Sequence, residues 1–142
     1  MRTVLVTGSN GFLGRNLCIA LERCEEVEVL RFDVHNTIKE LEEHIKSTEF
    51  VFHFAGVNRP KHEEEFAEGN KELTRTLCQL AEKHNSCAPI LLSSSIQVEQ
   101  ESTYGNSKKD AENELIEYSS RTGVPVLIYR FPNIFGKWSK PH

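Results

Sequence analysis

The chain reads as an α/β protein built on a doubly wound parallel sheet with helices on both faces. Three observations predict this. Short apolar runs alternate with helical stripes along all 142 residues. Gly8, Gly11 and Gly14 stand between the first such run and the first stripe. The polar residues that stand out chemically follow the ends of the strand-like runs, which would gather them at one edge of the sheet.

Thr3–Thr7 is β-branched and apolar, as a buried parallel strand requires. A turn over Gly8-Ser9-Asn10-Gly11-Phe12-Leu13-Gly14-Arg15 leads into a helix, Gly11–Leu21, striped by Leu13, Leu17, Ile19, Ala20 and Leu21. Gly8 permits the tight turn, Gly11 lets backbone approach a pyrophosphate, and Gly14 lets helix and strand pack closely. The helix N-terminus offers unpaired N–H groups to phosphates. Placed between strand and helix, these glycines predict a Rossmann-like dinucleotide site.

Val27–Phe32 is the second strand. Asp33 follows it, close to where an acidic residue meets an adenosine ribose, with a second reading as a turn or N-cap residue before the helix Thr37–Lys46. Arg15 and Arg31 are cations suited to a 2′-phosphate, so signals for NAD and for NADP coexist. Ile38, Leu41 and Ile45 share one side of the Thr37–Lys46 helix. Glu49–Phe54 is the third strand, with His53 as a core residue inside it. Lys61–Glu68 is acidic and reads as a short helix or loop. Asn70–His84 is a helix with Leu73, Leu77, Leu80 and Ala81 inward. Pro89–Ser93 and Pro125–Arg130 are the fourth and fifth strands. Between them lies the helix Tyr104–Arg121, with Ala111, Leu115, Ile116 and Tyr118 available for packing.

Tyr104 and Lys108 are four residues apart, so on a helix the phenol and the ammonium share a face. A fixed cation beside a phenol favours the phenolate and brings its pKa, ordinarily about 10, towards the range useful for acid–base work. A serine from Ser93-Ser94-Ser95 can hold the oxygen that gains or loses the proton. Spacing alone is common on solvated helices. The shared sheet edge with the glycine loop is what gives it weight.

The net charge of −4 and pI near 5.9 argue against a general nucleic-acid binder. No run is long and apolar enough for a membrane span, and the glycine loop begins too early to leave room for a signal peptide. Cys18, Cys24, Cys78 and Cys87 lack metal-ligand spacing and read as reduced thiols of a cytoplasmic protein; no metal site is expected.

These motifs resemble the extended short-chain dehydrogenase/reductase family. The likeness spans the whole chain. It is carried by Thr7–Gly14, His53-Phe54-Ala55-Gly56, Asn70, Ser93-Ser94-Ser95, Tyr104-x-x-x-Lys108 and Tyr129–Gly136. It implies a catalytic set of Tyr104 as acid/base, Lys108 as ribose holder and modulator of the tyrosine, and Ser95 as the hydroxyl that orients a substrate oxygen. It implies cofactor contacts from Gly8, Ser9, Asn10, Gly11, Phe12, Leu13, Gly14, Arg15, Asp33, Phe54, Ala55, Gly56, Asn70, Ser93, Arg130 and Pro132, beside Tyr104 and Lys108. Substrate contacts would come from Asn58, Arg59, Ser95 and Asn133. Asn70 reads either as the family asparagine that bends its helix and serves a proton relay, or as a plain N-cap. Arg59 reads as a phosphate contact or as a solvated loop residue, and Trp138 as flanking the sugar or packing under a further domain.

A narrower likeness is to bacterial capsule and O-antigen members of the family. It rests on Ala55–Pro60, Leu91–Gln97, Pro132–Trp138 and the short path from Ser95 to Tyr104. It implies NADPH-dependent reduction, with NAD(H) as the other cofactor, of the 4-keto group of a UDP-2-acetamido-2,6-dideoxy-hexulose. On this reading the chain is the cofactor half of a longer, homodimeric enzyme whose sugar-binding part and metal-holding cupin domain would follow, and it binds cofactor without turnover. Asp33 and Val34 stand where a 2′-phosphate would favour a basic residue, which leaves NADPH open. A 4-epimerase that keeps its NAD would use the same Tyr104 and Lys108. A dehydratase would carry an Asp–Glu pair where Ile96 and Gln97 stand. A non-catalytic NAD(P)-sensing module would keep the glycine loop and often lose the Tyr/Lys pair.

Overall fold

The structure, a computed structural model, describes residues 1–56 and 67–139. Strand β1 (Arg2–Thr7) leads into helix α1 (Phe12–Glu22), then β2 (Val27–Phe32), α2 (Ile38–Ser47) and β3 (Phe50–His53). A π-helical turn (Ala67–Glu72) runs straight into α3 (Leu73–Lys83). Next come β4 (Ile90–Ser95), a short 3-10 turn (Ile96–Glu99), α4 (Thr103–Thr122) and β5 (Val126–Phe131).

The five strands pair in parallel in the order β2-β1-β3-β4-β5. The chain therefore steps outward from β1 to β2, then crosses back over β1 to β3. Such a reversal opens a crevice at the carboxyl ends of β1 and β3, where doubly wound sheets bind ligands. Successive side chains on each strand point to opposite faces. Leu5, Val51, Ile90 and Leu92 face α2, α3 and α4, where Leu41, Ile45, Leu77, Ala81, Leu115 and Tyr118 complete the larger core. Val4, Val6 and Cys18 anchor the other face, against α1, with Leu17, Leu21, Phe50, Phe52 and Phe54 packed around them. No helix among the described residues is long and apolar enough to cross a membrane.

Three boundaries differ from the pattern reading, each for a physical reason. Thr37, not Asp33, caps α2, in a box where the Glu40 N–H donates to the Thr37 hydroxyl at 3.2 Å and the Glu40 carboxylate reaches back to the Thr37 N–H. The segment starting at Asn70 is not an α-helix at its beginning. It is a π turn, so Asn70 is no N-cap; its carbonyl accepts the Thr74 hydroxyl instead. Strand β4 continues through Ser95, because main-chain pairing with β5 carries on to Ser95 and Phe131 regardless of the polar side chains.

The glycine turn is where the fold is tightest. Gly8 has φ +67°, and a Cβ there would lie 2.6 Å from the Ala55 nitrogen. A Cβ on Gly14 would meet the Gly8 oxygen at 2.1 Å, whereas one on Gly11 would meet that oxygen at 3.3 Å. Gly14→Ala should therefore destabilise the chain by about 1–3 kcal/mol through overpacking, and Gly11→Ala by far less. Urea unfolding measures both, and equal losses at the two positions would contradict the packing.

Candidate active site

The residues at the carboxyl ends of the strands form one continuous polar edge. At its β2 end, the Asp33 carboxylate accepts the Asn10 N–H at 2.7 Å and the Val34 N–H at 2.8 Å. It thus ties the glycine turn to the end of β2, a turn-forming role that uses one bond on each carboxylate oxygen. Ser9 is buried, and both its hydroxyl and its N–H donate to the Phe32 carbonyl at 3.3 Å, which fastens the glycine turn to the end of β2. Arg31, one of two candidate 2′-phosphate cations, is paired with Glu22. Arg15, the other, is exposed in the first turn of α1, with no carboxylate within ion-pair distance among the described residues. Phe12 and Leu13 open α1 half-buried. Asn16 donates to the carbonyls of Phe12 at 2.9 Å and Lys137 at 3.0 Å, which fastens the segment after β5 to α1. Pro132 and Asn133, at the start of that segment, are exposed. Asn58 and Arg59 lie outside the described residues.

The Tyr104–Lys108 side is built on β4 and α4. Ser102 caps α4 by accepting the Gly105 N–H at 3.0 Å, and Gly105 has no room for a side chain, since a Cβ would lie 2.3 Å from the Gln97 carbonyl. This presses the first turn of α4 against the end of β4. Tyr104 and Lys108 fall on that inner side, with the Lys108 ammonium 6.0 Å from the centre of the phenol ring. Lys108 is 6% exposed and donates to the Ser93 carbonyl at 3.1 Å. Burial pulls its pKa down to about 8, against the opposing field of Glu112. Ser95 is hydrogen-bonded to the Tyr104 phenol, and its oxygen also accepts the Gln97 N–H at 3.1 Å.

The expected drop in the tyrosine pKa is not what the geometry produces. Burial raises the Tyr104 phenol above its ordinary range, and the Ser95 bond opposes this only in part. The cation is turned to a main-chain carbonyl rather than to the phenol oxygen. Tyr104 is therefore held as the acid, the form that can give up a proton.

Further along the buried face of α4 lies a group the motif reading missed. Glu112 is 1% exposed and accepts the Ser94 hydroxyl at 2.7 Å. Arg130 grips both of its oxygens, at 2.9 and 2.8 Å. Burial pushes the Glu112 carboxyl up, but the bonds from Arg130 and Ser94 outweigh it and hold the group below its ordinary range. Arg130, expected among the cofactor contacts, directs its guanidinium to Glu112 and, at 3.6 Å, to Glu99. It clamps α4 to β5. The signal was present: Glu112 stands four residues after Lys108, in register with Ala111 and Leu115, where a charge must be buried and so must be paired.

Gly56 closes the crevice wall after β3. A Cβ there would lie 2.6 Å from the Asn70 Oδ1 and 3.0 Å from the Lys108 ammonium. The Ala55 N–H donates to the Thr7 hydroxyl at 3.2 Å, which joins this wall to the end of β1. A glycine-lined crevice next to a buried cation and a protonated phenol fits a nicotinamide dinucleotide, with Gly8, Gly11 and Gly14 at the phosphate end and Tyr104 and Lys108 at the reactive end.

The burial of Lys108 has a measurable cost. A fall from 10.5 to about 8 is worth about 3 kcal/mol, less about 1 kcal/mol for the bond to Ser93. Lys108→Met should therefore stabilise the chain by about 2 kcal/mol at neutral pH. Between pH 8 and 10.5 the folded lysine holds fewer protons than the unfolded one, so wild-type stability gains on the variant and the advantage shrinks. Urea unfolding across that range tests this, and an advantage that grows with pH would contradict it.

The sequence profile of the NAD dependent epimerase/dehydratase family matches residues 4–142. A curated relative, the UDP-2-acetamido-2,6-beta-L-arabino-hexul-4-ose reductase of Pseudomonas aeruginosa, is 48% identical over 139 residues, which is 98% of this chain and 37% of the relative. The capsular polysaccharide assembling protein CapF of Staphylococcus aureus superposes with a TM-score of 0.84 at 39% identity, over 97% of this chain and 37% of that one. The UDP-glucuronic acid 4-epimerase of Bacillus cereus, solved with NAD, gives a TM-score of 0.86 at 20% identity over 98% of this chain and 59% of its own, a likeness of fold alone. The chain thus spans just over a third of the first two proteins it matches. With the glycine crevice and the Tyr104–Lys108 pair on one sheet edge, these matches lead to one conclusion: the chain belongs to the NAD dependent epimerase/dehydratase family.

Proposed function

We propose that this chain is the cofactor-binding half of a reductase that uses NADPH to reduce the 4-keto group of a UDP-linked 2-acetamido-2,6-dideoxy-hexulose, in the making of capsule or O-antigen sugars. The observation that carries the reading is Tyr104, held protonated beside Ser95 and the buried Lys108, on the same edge as the glycine crevice. The activity of the Pseudomonas relative supports the substrate class.

A bound reduced nicotinamide supplies the hydride. The residues of the chain handle the proton. Tyr104 donates it to the carbonyl oxygen as negative charge develops there. The Ser95 oxygen is fixed by the Gln97 N–H, which leaves its own hydrogen to donate, to the phenol or to the substrate oxygen. The phenolate left behind lies in the field of the nearby Lys108 cation, an attraction that exists only once the proton has moved. An interaction realised late in the reaction accelerates it; one present from the start does not.

NADPH, rather than NADH, rests on Arg15, the exposed cation beside the glycine turn. Arg15→Gln should weaken NADPH binding about five- to tenfold, the loss of one charge-assisted contact, and leave NADH binding unchanged. Fluorescence titration of both reduced cofactors measures this, and equal weakening of the two would reject a 2′-phosphate contact. In the full-length polypeptide, Tyr104→Phe should lower the keto-reduction rate by about 10²–10⁴-fold while NADPH affinity holds. Turnover near the wild-type rate would refute the catalytic role. The 142-residue chain by itself should bind the cofactor and turn over no sugar.

A further inference from the structure

A second polar system runs through the core behind the proton-handling pair, and His53 is its centre. His53 is fully buried at the end of β3. Its Nδ1 lies 2.7 Å from the Thr7 hydroxyl and its Nε2 lies 2.9 Å from the Thr74 hydroxyl. Thr7 receives the Ala55 N–H at 3.2 Å, and Thr74 donates to the Asn70 carbonyl. Beyond that carbonyl, the Asn70 side-chain amide donates to the Ser107 hydroxyl at 2.9 Å, and Ser107 donates to the Tyr104 carbonyl at 2.8 Å.

The two ends decide where every proton in this series sits. An amide N–H only donates, so the Thr7 oxygen accepts from Ala55. A carbonyl only accepts, so the Thr74 hydroxyl donates to Asn70 and its oxygen is left to accept from His53. Nε2 of His53 must then carry the hydrogen, and Nδ1 must accept the Thr7 hydroxyl. One tautomer satisfies the whole series. A second ring proton would face the Thr7 oxygen and take away the acceptor of that hydroxyl. Burial, and next the Lys108 charge, act in the same direction and push the ring pKa down to about 3.

This series joins the crevice wall at Ala55 to the main chain of Tyr104, by way of the π turn that carries Asn70. A leucine at position 53 would fill the space between β3 and α3, but it would connect nothing. We propose that His53, as the neutral Nε2–H tautomer, is a positioning residue that sets the π turn and Asn70, and through Ser107 the Tyr104 turn of α4, relative to the dinucleotide crevice. The proposal rests on the reading of Tyr104 and Lys108 as the proton pair of a hydride-transfer site.

Two substitutions in the 142-residue chain separate positioning from packing. In His53→Gln an amide N–H stands near the former Nε2 and can still donate to Thr74. In His53→Asn the side chain reaches only as far as Nδ1, accepts from Thr7 and cannot touch Thr74. The probes are NADPH affinity by fluorescence, the Asn70 side-chain amide signals by NMR, and the thermal midpoint. The wild-type ring should show the Nε2–H pattern in long-range proton–nitrogen spectra throughout the folded pH range. His53→Asn should weaken NADPH about tenfold, the loss of about one hydrogen bond's worth of placement, and shift the Asn70 amide signals. His53→Gln should keep both near wild type, although the two variants lose similar thermal stability. Thr74→Val severs the same link from the other side and should reproduce His53→Asn if that variant does not fold. A cationic or Nδ1–H ring, or equal effects of Gln and Asn, would overturn the proposal. If wild-type chain does not bind NADPH, the functional reading fails, while the ring tautomer and the Asn70 signals still decide the role of His53.

Discussion

The buried ammonium of Lys108 is the constraint on which the rest of this edge depends. A lysine taken out of water at neutral pH is held charged only by what surrounds it. Here the Ser93 carbonyl accepts one of its hydrogens, and Glu112 supplies an opposing field from the next turn of α4. Glu112 is itself a buried charge, so it requires Arg130 from β5 and Ser94 from β4. The buried cation thus forces a pairing two strands wide. The pairing in turn fixes how α4 sits on β4 and β5, and so where Tyr104 stands.

This explains why the buried face of α4 changes character along its length. Its first half carries Ser107, Lys108 and Glu112 inward; its second half carries Leu115 and Tyr118. The apolar half docks the helix, and the polar half uses the rigidity so obtained. Buried polar groups with every partner in place specify one arrangement, because any slip leaves a charge or a hydroxyl unpaired in a low-dielectric interior. The His53 series does the same on the β1–β3 side. The His53 series ends at the Tyr104 carbonyl, and the Lys108–Glu112 pairing holds the helix that carries Tyr104.

Much of the fold was legible because its signals are local. The alternation of strand and helix, and the glycine turn after Thr7, depend on residues close in the chain. So did the expectation that the chemistry would gather at the carboxyl edge. The departures were of another kind. Asn70 read equally as a helix-bending asparagine or as a cap, because a π turn has no compositional mark. The Arg130–Glu112 pair was hidden because nothing in the neighbourhood of Arg130 reveals a carboxylate 18 residues earlier in sequence. Tyr104 looked like a phenol depressed by its neighbour, but four-residue spacing sets only the face, not the direction in which a flexible lysine turns.

By itself the sequence determined the residue types that chemistry requires and the sheet edge on which they would stand, since periodicity and glycine placement act over a few residues. Only the tertiary structure decided which of them face the crevice and in what protonation state. Ser9 turned inward, Arg31 was taken by Glu22, Arg15 was left without a carboxylate among the described residues, and Tyr104 was kept as the acid. Those outcomes follow from desolvation and from partners brought together across strands, and both exist only once the sheet has closed.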